Sequence, residues 1–158
     1  MKGASITPVK ITIKSEIDEI QKLFQENPAN KEISFINTLE DDLCVLSDIN
    51  HFRIIFRNLI SNAVKFTEKL GTIKVLGEIK SDKVKISVLD DGIGMTKENI
   101  AKIWSQNEHL STYGTHSEKG TGLGLMLCKE MVEKNKGFIF LKSEPNTGTT
   151  FSVYLPKC

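Results

Sequence analysis

Two asparagines and a lysine, Asn58, Asn62 and Lys65, are the first residues whose types and spacing suggest chemistry. On a helix turning about 100° per residue they lie at about 0°, 40° and −20°, a narrow polar stripe. The apolar residues Phe52, Ile55, Phe56, Leu59, Ile60, Ala63 and Phe66 centre roughly a quarter-turn away, so the stripe borders a core instead of lying opposite it. A lone lysine there is ordinarily a solvated flank. Two carboxamides in register with it offer more. Amide oxygens can complete the shell of a hard Mg2+, which keeps waters and shares phosphate oxygens. A lysine one turn on meets a phosphate as a point charge.

A second group, Asp90-Asp91-Gly92-Ile93-Gly94-Met95, follows an alternating apolar run that ends at Leu89. A carboxylate at a strand end can accept hydrogen bonds from a flat base, and glycines two and four residues on let the backbone approach it closely. Alone, the group reads first as an ordinary Asp-Gly turn, which is common. The third group is Gly120-Thr121-Gly122-Leu123-Gly124-Leu125, glycines at alternate positions opening a helix. Freed backbone N–H groups and the helix dipole suit a polyphosphate. No Gly-Lys-Ser/Thr follows, so this is not a Walker loop, and the spacing is not that of a dinucleotide fingerprint. The fourth, Gly148-Thr149-Thr150-Phe151, places a hydroxyl at the start of the last strand.

The elements that must position these groups are legible from periodicity. Ser15 to Gln25 reads as a helix capped by Ser15 and ended at Asn27-Pro28. Residues 1–13 alternate loosely, as a lead-in or an edge strand. Short strands are expected around Ile33 to Asn37 and Cys44 to Leu46. Asp48 to Phe66 is the best helix, with Asp48 as cap and Gly71 closing the segment. Thr72 to Ile79 and Lys83 to Leu89 alternate as paired strands. A short helix spans Lys97 to Trp104, and another runs from the third glycine group to about Glu133. Phe138 to Leu141 and Thr149 to Leu155 complete a hairpin across Pro145-Asn146-Thr147-Gly148. Residues 105–119 are polar and aperiodic, as a lid or binding loop is. The expected fold is an α/β (α+β) two-layer sandwich, a mixed sheet covered on one face by helices.

The chain has 158 residues, enough for one domain. Its 21 Lys and Arg against 20 Asp and Glu leave no basic excess for nucleic acid or an anionic membrane. Apolar runs are too short to span a bilayer, and the N-terminus carries no secretory signal. Cys44, Cys128 and Cys158 are far apart and odd in number, so neither a disulfide framework nor a zinc site is expected, and the default setting is reducing and cytosolic.

Taken in order, Asn-Leu-x-x-Asn-Ala-x-Lys-Phe-Thr (Asn58 to Thr67), Asp-x-Gly-x-Gly-Met (Asp90 to Met95), Gly-Thr-Gly-Leu-Gly-Leu (120–125) and Gly-Thr-x-Phe (148–151) resemble the catalytic ATP-binding domain of sensor histidine kinases. These share a wider family with DNA gyrase, the ninety-kilodalton heat-shock chaperones and the mismatch-repair ATPases. The resemblance covers roughly Ser15 to Pro156 as one domain. Ile103-Trp104 stands where the family has an aromatic box, usually with Phe.

The resemblance implies a nucleotide held between the helices and the 105–119 lid. Asp90 would bind the adenine amino group, with Thr149 supporting the same edge through water. Gly92, Gly94 and Met95 would shape the base pocket. Asn62 would hold Mg2+, with Asn58 and Lys65 close to the phosphates as the catalytic pair. Lys119, Gly120, Thr121, Gly122, Leu123, Gly124 and Leu125 would hold the phosphate tail. ATP and Mg2+ are thus the expected cofactors, with ADP as product.

Family members that hydrolyse ATP with water carry Glu where this chain has Asn58. A neutral amide is no general base, which favours transfer to a histidine nucleophile and slow intrinsic hydrolysis. None of His51, His109 or His116 matches the family's phosphoacceptor box. The expected partner is therefore a histidine-bearing dimerisation domain of the parent kinase, and through it a response regulator. The opening residues fit a fragment that begins after such a hairpin, mainly monomeric alone and cytoplasmic. Two alternatives stand beside this: an ATP/ADP-binding regulatory module without transferase activity, and an ATP-hydrolysing conformational ATPase.

Overall fold

The computed structural model describes residues 5–26, 32–104 and 123–158. Its elements run β1 (Val9–Thr12), α1 (Ile13–Gln25), β2 (Ser34–Asn37), β3 (Cys44–Ser47), α2 (Ile49–Phe66), β4 (Thr72–Lys80), β5 (Lys83–Asp90), α3 (Lys97–Lys102), α4 (Leu123–Lys134), β6 (Phe138–Glu144) and β7 (Gly148–Pro156). Five strands form one sheet in the order β2-β4-β5-β7-β6, and β1 pairs with β3 in a separate ribbon. Among the described strands only β2 and β4 run parallel, because α2 carries the chain between them; the other neighbours are antiparallel. The expected two-layer α+β sandwich with a mixed sheet is what forms.

Alternation sets the core. Val84, Ile86 and Val88 of β5 and Phe151, Val153 and Leu155 of β7 point to the helices and are buried. Against them α2 lays Phe52, Ile55, Phe56, Leu59 and Ile60, each fully buried. Asp48 caps α2, its carboxylate accepting the His51 N–H at 3.0 Å. At the other end the Thr67 hydroxyl donates to the Ala63 carbonyl at 2.6 Å and Thr67 turns extended, which stops the helix. The left-handed residue of the following turn is Leu70 (φ 68°), not Gly71.

The structure departs from the expected elements in three places. The first helix starts at Ile13, two residues before Ser15; the Ser15 hydroxyl bonds the Thr12 carbonyl at 3.1 Å instead of capping. The cause is tertiary, since Ile11 and Ile13 are both buried and the Ile13 N–H reaches the Leu43 carbonyl at 3.1 Å. β6 continues three residues past Leu141, its polar end paired with β7 down to Glu144↔Gly148. Finally, Cys44 and Cys158 form a disulfide, their Cα atoms 5.7 Å apart, against the expectation of none. The bridge Val45↔Lys157 ties the C-terminus to β3 and brings together two cysteines separated by 114 positions, a proximity that spacing alone does not reveal.

Such a crosslink is typically worth on the order of 2–4 kcal/mol, chiefly through the unfolded state. Adding reductant to air-oxidised protein is expected to lower its stability by that amount. Thiol titration of the unreduced, denatured chain should count one reactive group, Cys128; three would contradict the pairing.

Candidate functional site

Asp90 ends β5 between Ile73 of β4 and Thr149 of β7, so its carboxyl is held at the rim of the sheet under the helices. The chain then turns back, and Asp90 Oδ1 accepts the Gly92 N–H at 2.9 Å. The next residues are clamped from two sides. From α2, the Phe66 carbonyl accepts the Ile93 N–H at 3.0 Å; from the β6–β7 turn, the Asn146 N–H donates to the Ile93 carbonyl at 2.7 Å. The Met95 N–H donates to Ser143 Oγ at 2.8 Å, seating the buried Met95 against β6.

Both glycines of this loop are required by close approach. A Cβ on Gly92 would stand 2.7 Å from the Phe66 carbonyl carbon and 2.8 Å from Asp90 Oδ1. Gly94 has a φ of +70° and passes against the Glu144 carbonyl, where a side chain meets both strain and collision. Thr149 is buried beside Asp90, its hydroxyl 2.7 Å from that of Ser143. Carboxylate and hydroxyl thus converge at one end of the sheet.

Burial pushes the Asp90 carboxyl up to about 6; the backbone N–H groups of Gly92 and Thr149 oppose the shift, and neighbouring Asp91 adds to it. At neutral pH the carboxylate is ionised, an acceptor ready for an N–H donor, yet held at a cost to the empty fold.

The stripe on α2 lies beside this pocket, with Asn58, Asn62 and Lys65 all half-buried. The start of α4 passes directly over Asn58: a Cβ on Gly124 would stand 3.1 Å from Asn58 Oδ1. One turn along α4, the Cys128 thiol bonds the Asn58 side chain and donates to the Ile55 carbonyl at 3.6 Å. Burial raises that thiol to about 12, so Cys128 is a neutral prop and no nucleophile. Lys65 carries its Nζ 4.6 Å from the Phe66 ring centroid. Leu123 opens α4 and Leu125 turns into the core, so a ligand would meet Leu125 through its backbone. Trp104 packs edge-on against Phe151, centroids 6.5 Å apart, which keeps an aromatic anchor at that end of the sheet.

Lys119, Gly120, Thr121, Gly122 and the 105–119 lid lie outside the described residues. Among the described residues, no group of three His, Cys, Asp or Glu could hold a metal. Asn62 offers one hard carboxamide oxygen, which fits an ion that takes its remaining ligands from phosphates and water. Sequence reasoning missed Ser143, the Phe66 carbonyl and Cys128. Ser143 had a weak signal, an inward position on the β6 alternation just before the turn. The other two had none, because a backbone carbonyl and a packed thiol acquire meaning only from their neighbours.

Asp90 binds its proton more tightly folded than unfolded, so it contributes stability at low pH that is lost as pH rises from about 4 to about 6. Asp90→Asn keeps the Gly92 hydrogen bond and removes the buried charge. It is expected to stabilise the nucleotide-free fold at pH 7–8 by on the order of 1 kcal/mol, with the gain vanishing near pH 4, as thermal melts across pH will show.

Residues 47–158 match the family model described as histidine kinase-, DNA gyrase B- and HSP90-like ATPase. The catalytic domain of histidine kinase ThkA has a similar structure: TM-score 0.80, 30% identity, 96% of this chain and 97% of that one covered. The non-motile and phage-resistance protein of Caulobacter vibrioides is 36% identical over 114 residues, 70% of this chain and 14% of the relative. Sporulation kinase A of Bacillus subtilis is 32% identical over 149 residues, 93% of this chain and 23% of the relative. The chain thus spans less than a quarter of the length of either of these curated relatives. The fold, the four motifs in order and these likenesses agree that the chain belongs to the histidine kinase-, DNA gyrase B- and HSP90-like ATPase family, as an ATP-binding kinase catalytic domain.

Proposed function

We propose that the chain binds Mg-ATP and passes its γ-phosphoryl group to a histidine on a separate dimerisation and phosphoacceptor domain of a parent sensor kinase, on the cytoplasmic side of two-component signalling. The observation that carries this reading is the chemistry of α2. From Ile49 to Phe66 the helix holds no Asp or Glu, and Asn58 stands half-buried under α4 where a water-activating carboxylate would be needed. A carboxamide held in place by Gly124 and Cys128 can orient a phosphate or a water but cannot take its proton. A histidine acceptor brings its own lone pair, so positioning and charge neutralisation suffice.

In this reading Asp90 and Thr149 fix the base, and the Asp90 carboxylate accepts the exocyclic amino hydrogen. The backbone of the Gly120 to Leu125 motif and Lys119 hold the phosphate tail. Asn62 would hold Mg2+, which when bound neutralises phosphate charge. Asn58 and Lys65 border the transferred group, with Lys65 supplying positive charge. The Cys44–Cys158 disulfide lies at the β3 end; in a reducing compartment the Val45↔Lys157 bridge would still hold the C-terminus there.

Calorimetric titration is expected to show Mg2+ binding only with nucleotide present, since Asn62 alone is a poor site. Asn62→Ala should lower Mg-dependent phosphoryl transfer to the acceptor domain by 100-fold or more, on the order of 3 kcal/mol of transition-state stabilisation. Metal-free ADP affinity should change little. ADP affinity itself should weaken as pH falls through about 6 in the parent and lose that dependence in Asp90→Asn, because protonation takes the charge off the acceptor and weakens it. Steady ATP hydrolysis by the isolated chain at roughly 1 s−1 or faster, an ordinary enzymatic turnover, would overturn the transfer reading.

A further inference from the structure

We infer that the face of the five-stranded sheet turned away from the helices is a docking surface for a partner protein's amphipathic helix, one whose apolar stripe is flanked by Asp and Glu. The surface lies across the sheet from α2, so the inference does not rest on the nucleotide reading.

A two-layer fold leaves one sheet face to water, and such a face is ordinarily polar. Here it carries an aromatic group. Phe138 of β6 stacks on Tyr154 of β7 with centroids 4.4 Å apart, and Phe140 meets Tyr154 edge-on at 5.9 Å. Phe140 is nonetheless 58% exposed. Along one line across the sheet, Phe140 is followed by Ser152, Ser87 and the exposed Leu76. The two serines are buried, and their hydroxyls bond each other at 3.1 Å. The floor between Phe140 and Leu76 is therefore low, and its hydroxyls are hydrogen-bonded to each other, so covering it costs little desolvation. Phe140 and Leu76 stand three strand spacings apart, about 14 Å. That leaves room for a helix about 10 Å across. The seven residues of β6 run about 23 Å, the length of a helix of about 15 residues.

Charge selects the occupant. Lys142, Lys85 and Lys74 stand on the same face of β6, β5 and β4, and Lys85 Nζ lies 6.0 Å from the Tyr154 ring centroid. Lys80 and Lys83 close the hairpin end, where Glu78 is held by Lys80 at 3.0 Å. Lysines around an apolar centre attract acidic flanks and repel basic ones. A nucleic-acid strand fits less well, because Phe138 and Tyr154 already stack on each other and use the ring faces a base would need. The recessed floor likewise suits a cylinder better than a flat bilayer.

The test titrates two synthetic helices of about 15 residues into the isotope-labelled chain, followed by amide shifts in NMR. One carries a leucine stripe flanked by Glu, and its twin carries Lys in place of Glu. The Glu-flanked peptide is expected to shift Phe140, Ser152, Ser87 and Leu76 and to bind roughly tenfold tighter than the twin, a gap that narrows at high salt. Phe140→Ser should weaken it roughly tenfold and Lys85→Glu roughly threefold, with ADP affinity and the melting temperature little changed. Equal binding of the two peptides, shifts confined to α1 or α4, or full affinity in both variants would refute the proposal. So would no binding of the Glu-flanked peptide at about 1 mM. Phosphatidylserine vesicles or oligothymidylate shifting this face where that peptide does not would assign it to a membrane or a nucleic acid, and the inference would fail.

Discussion

One backbone hydrogen bond, from the Ile93 N–H to the Phe66 carbonyl, joins the two halves of the candidate site. Phe66 is the last residue of α2, the helix that carries Asn58, Asn62 and Lys65, and Ile93 sits in the glycine loop that follows Asp90. The bond is possible only because Gly92 presents no Cβ to that carbonyl. On its other side the loop is held by Asn146 and Ser143 of the β6–β7 hairpin, against which Gly94 lies with a left-handed backbone. The helix end, the glycine loop and the hairpin turn are therefore tied together by hydrogen bonds. Under the proposed function, a base held at Asp90 would have its phosphates directed along α2.

The electrostatics are arranged around that geometry at some cost to stability. Asp90 is kept as the pocket's acceptor although burial favours its protonated form. Neighbouring α2 contains no carboxylate at all, and Lys65 gives its half-buried stripe of Asn58, Asn62 and Lys65 a positive charge. A buried acceptor at one end and a cation with two carboxamides at the other suit a ligand with a hydrogen-bond donor at its head and negative charge along its tail. The same arrangement withholds a general base from water on α2. Within one family, that absence is what separates group transfer from hydrolysis in the proposed function.

Much of this was legible beforehand, for physical reasons that differ by element. Helix α2 was readable because its apolar face repeats over eighteen residues with a capping Asp48. The β5 and β7 alternation was equally plain, since each strand has one face on the core. The Asp90 loop was readable as glycines at a strand end. What escaped was set by partners distant in the chain. Helix α1 begins early because Ile13 bonds Leu43, and Cys158 meets Cys44 only through the β3 edge. Ser143, the most connected hydroxyl of the pocket, looks in the sequence like any polar residue before a turn.

The central claim is that a nucleotide base binds where the Phe66 carbonyl, the Asp90 loop and the β6–β7 hairpin meet. Backbone amide shift mapping by NMR during titration with ADP tests it most directly. The account predicts the largest described shifts at Gly92 to Met95 and at Gly148 and Thr149, with smaller ones along α2 at Asn58 and Asn62. Shifts confined to other surfaces, such as α1 or the β1–β3 ribbon, or no shifts at saturating ADP, would contradict it.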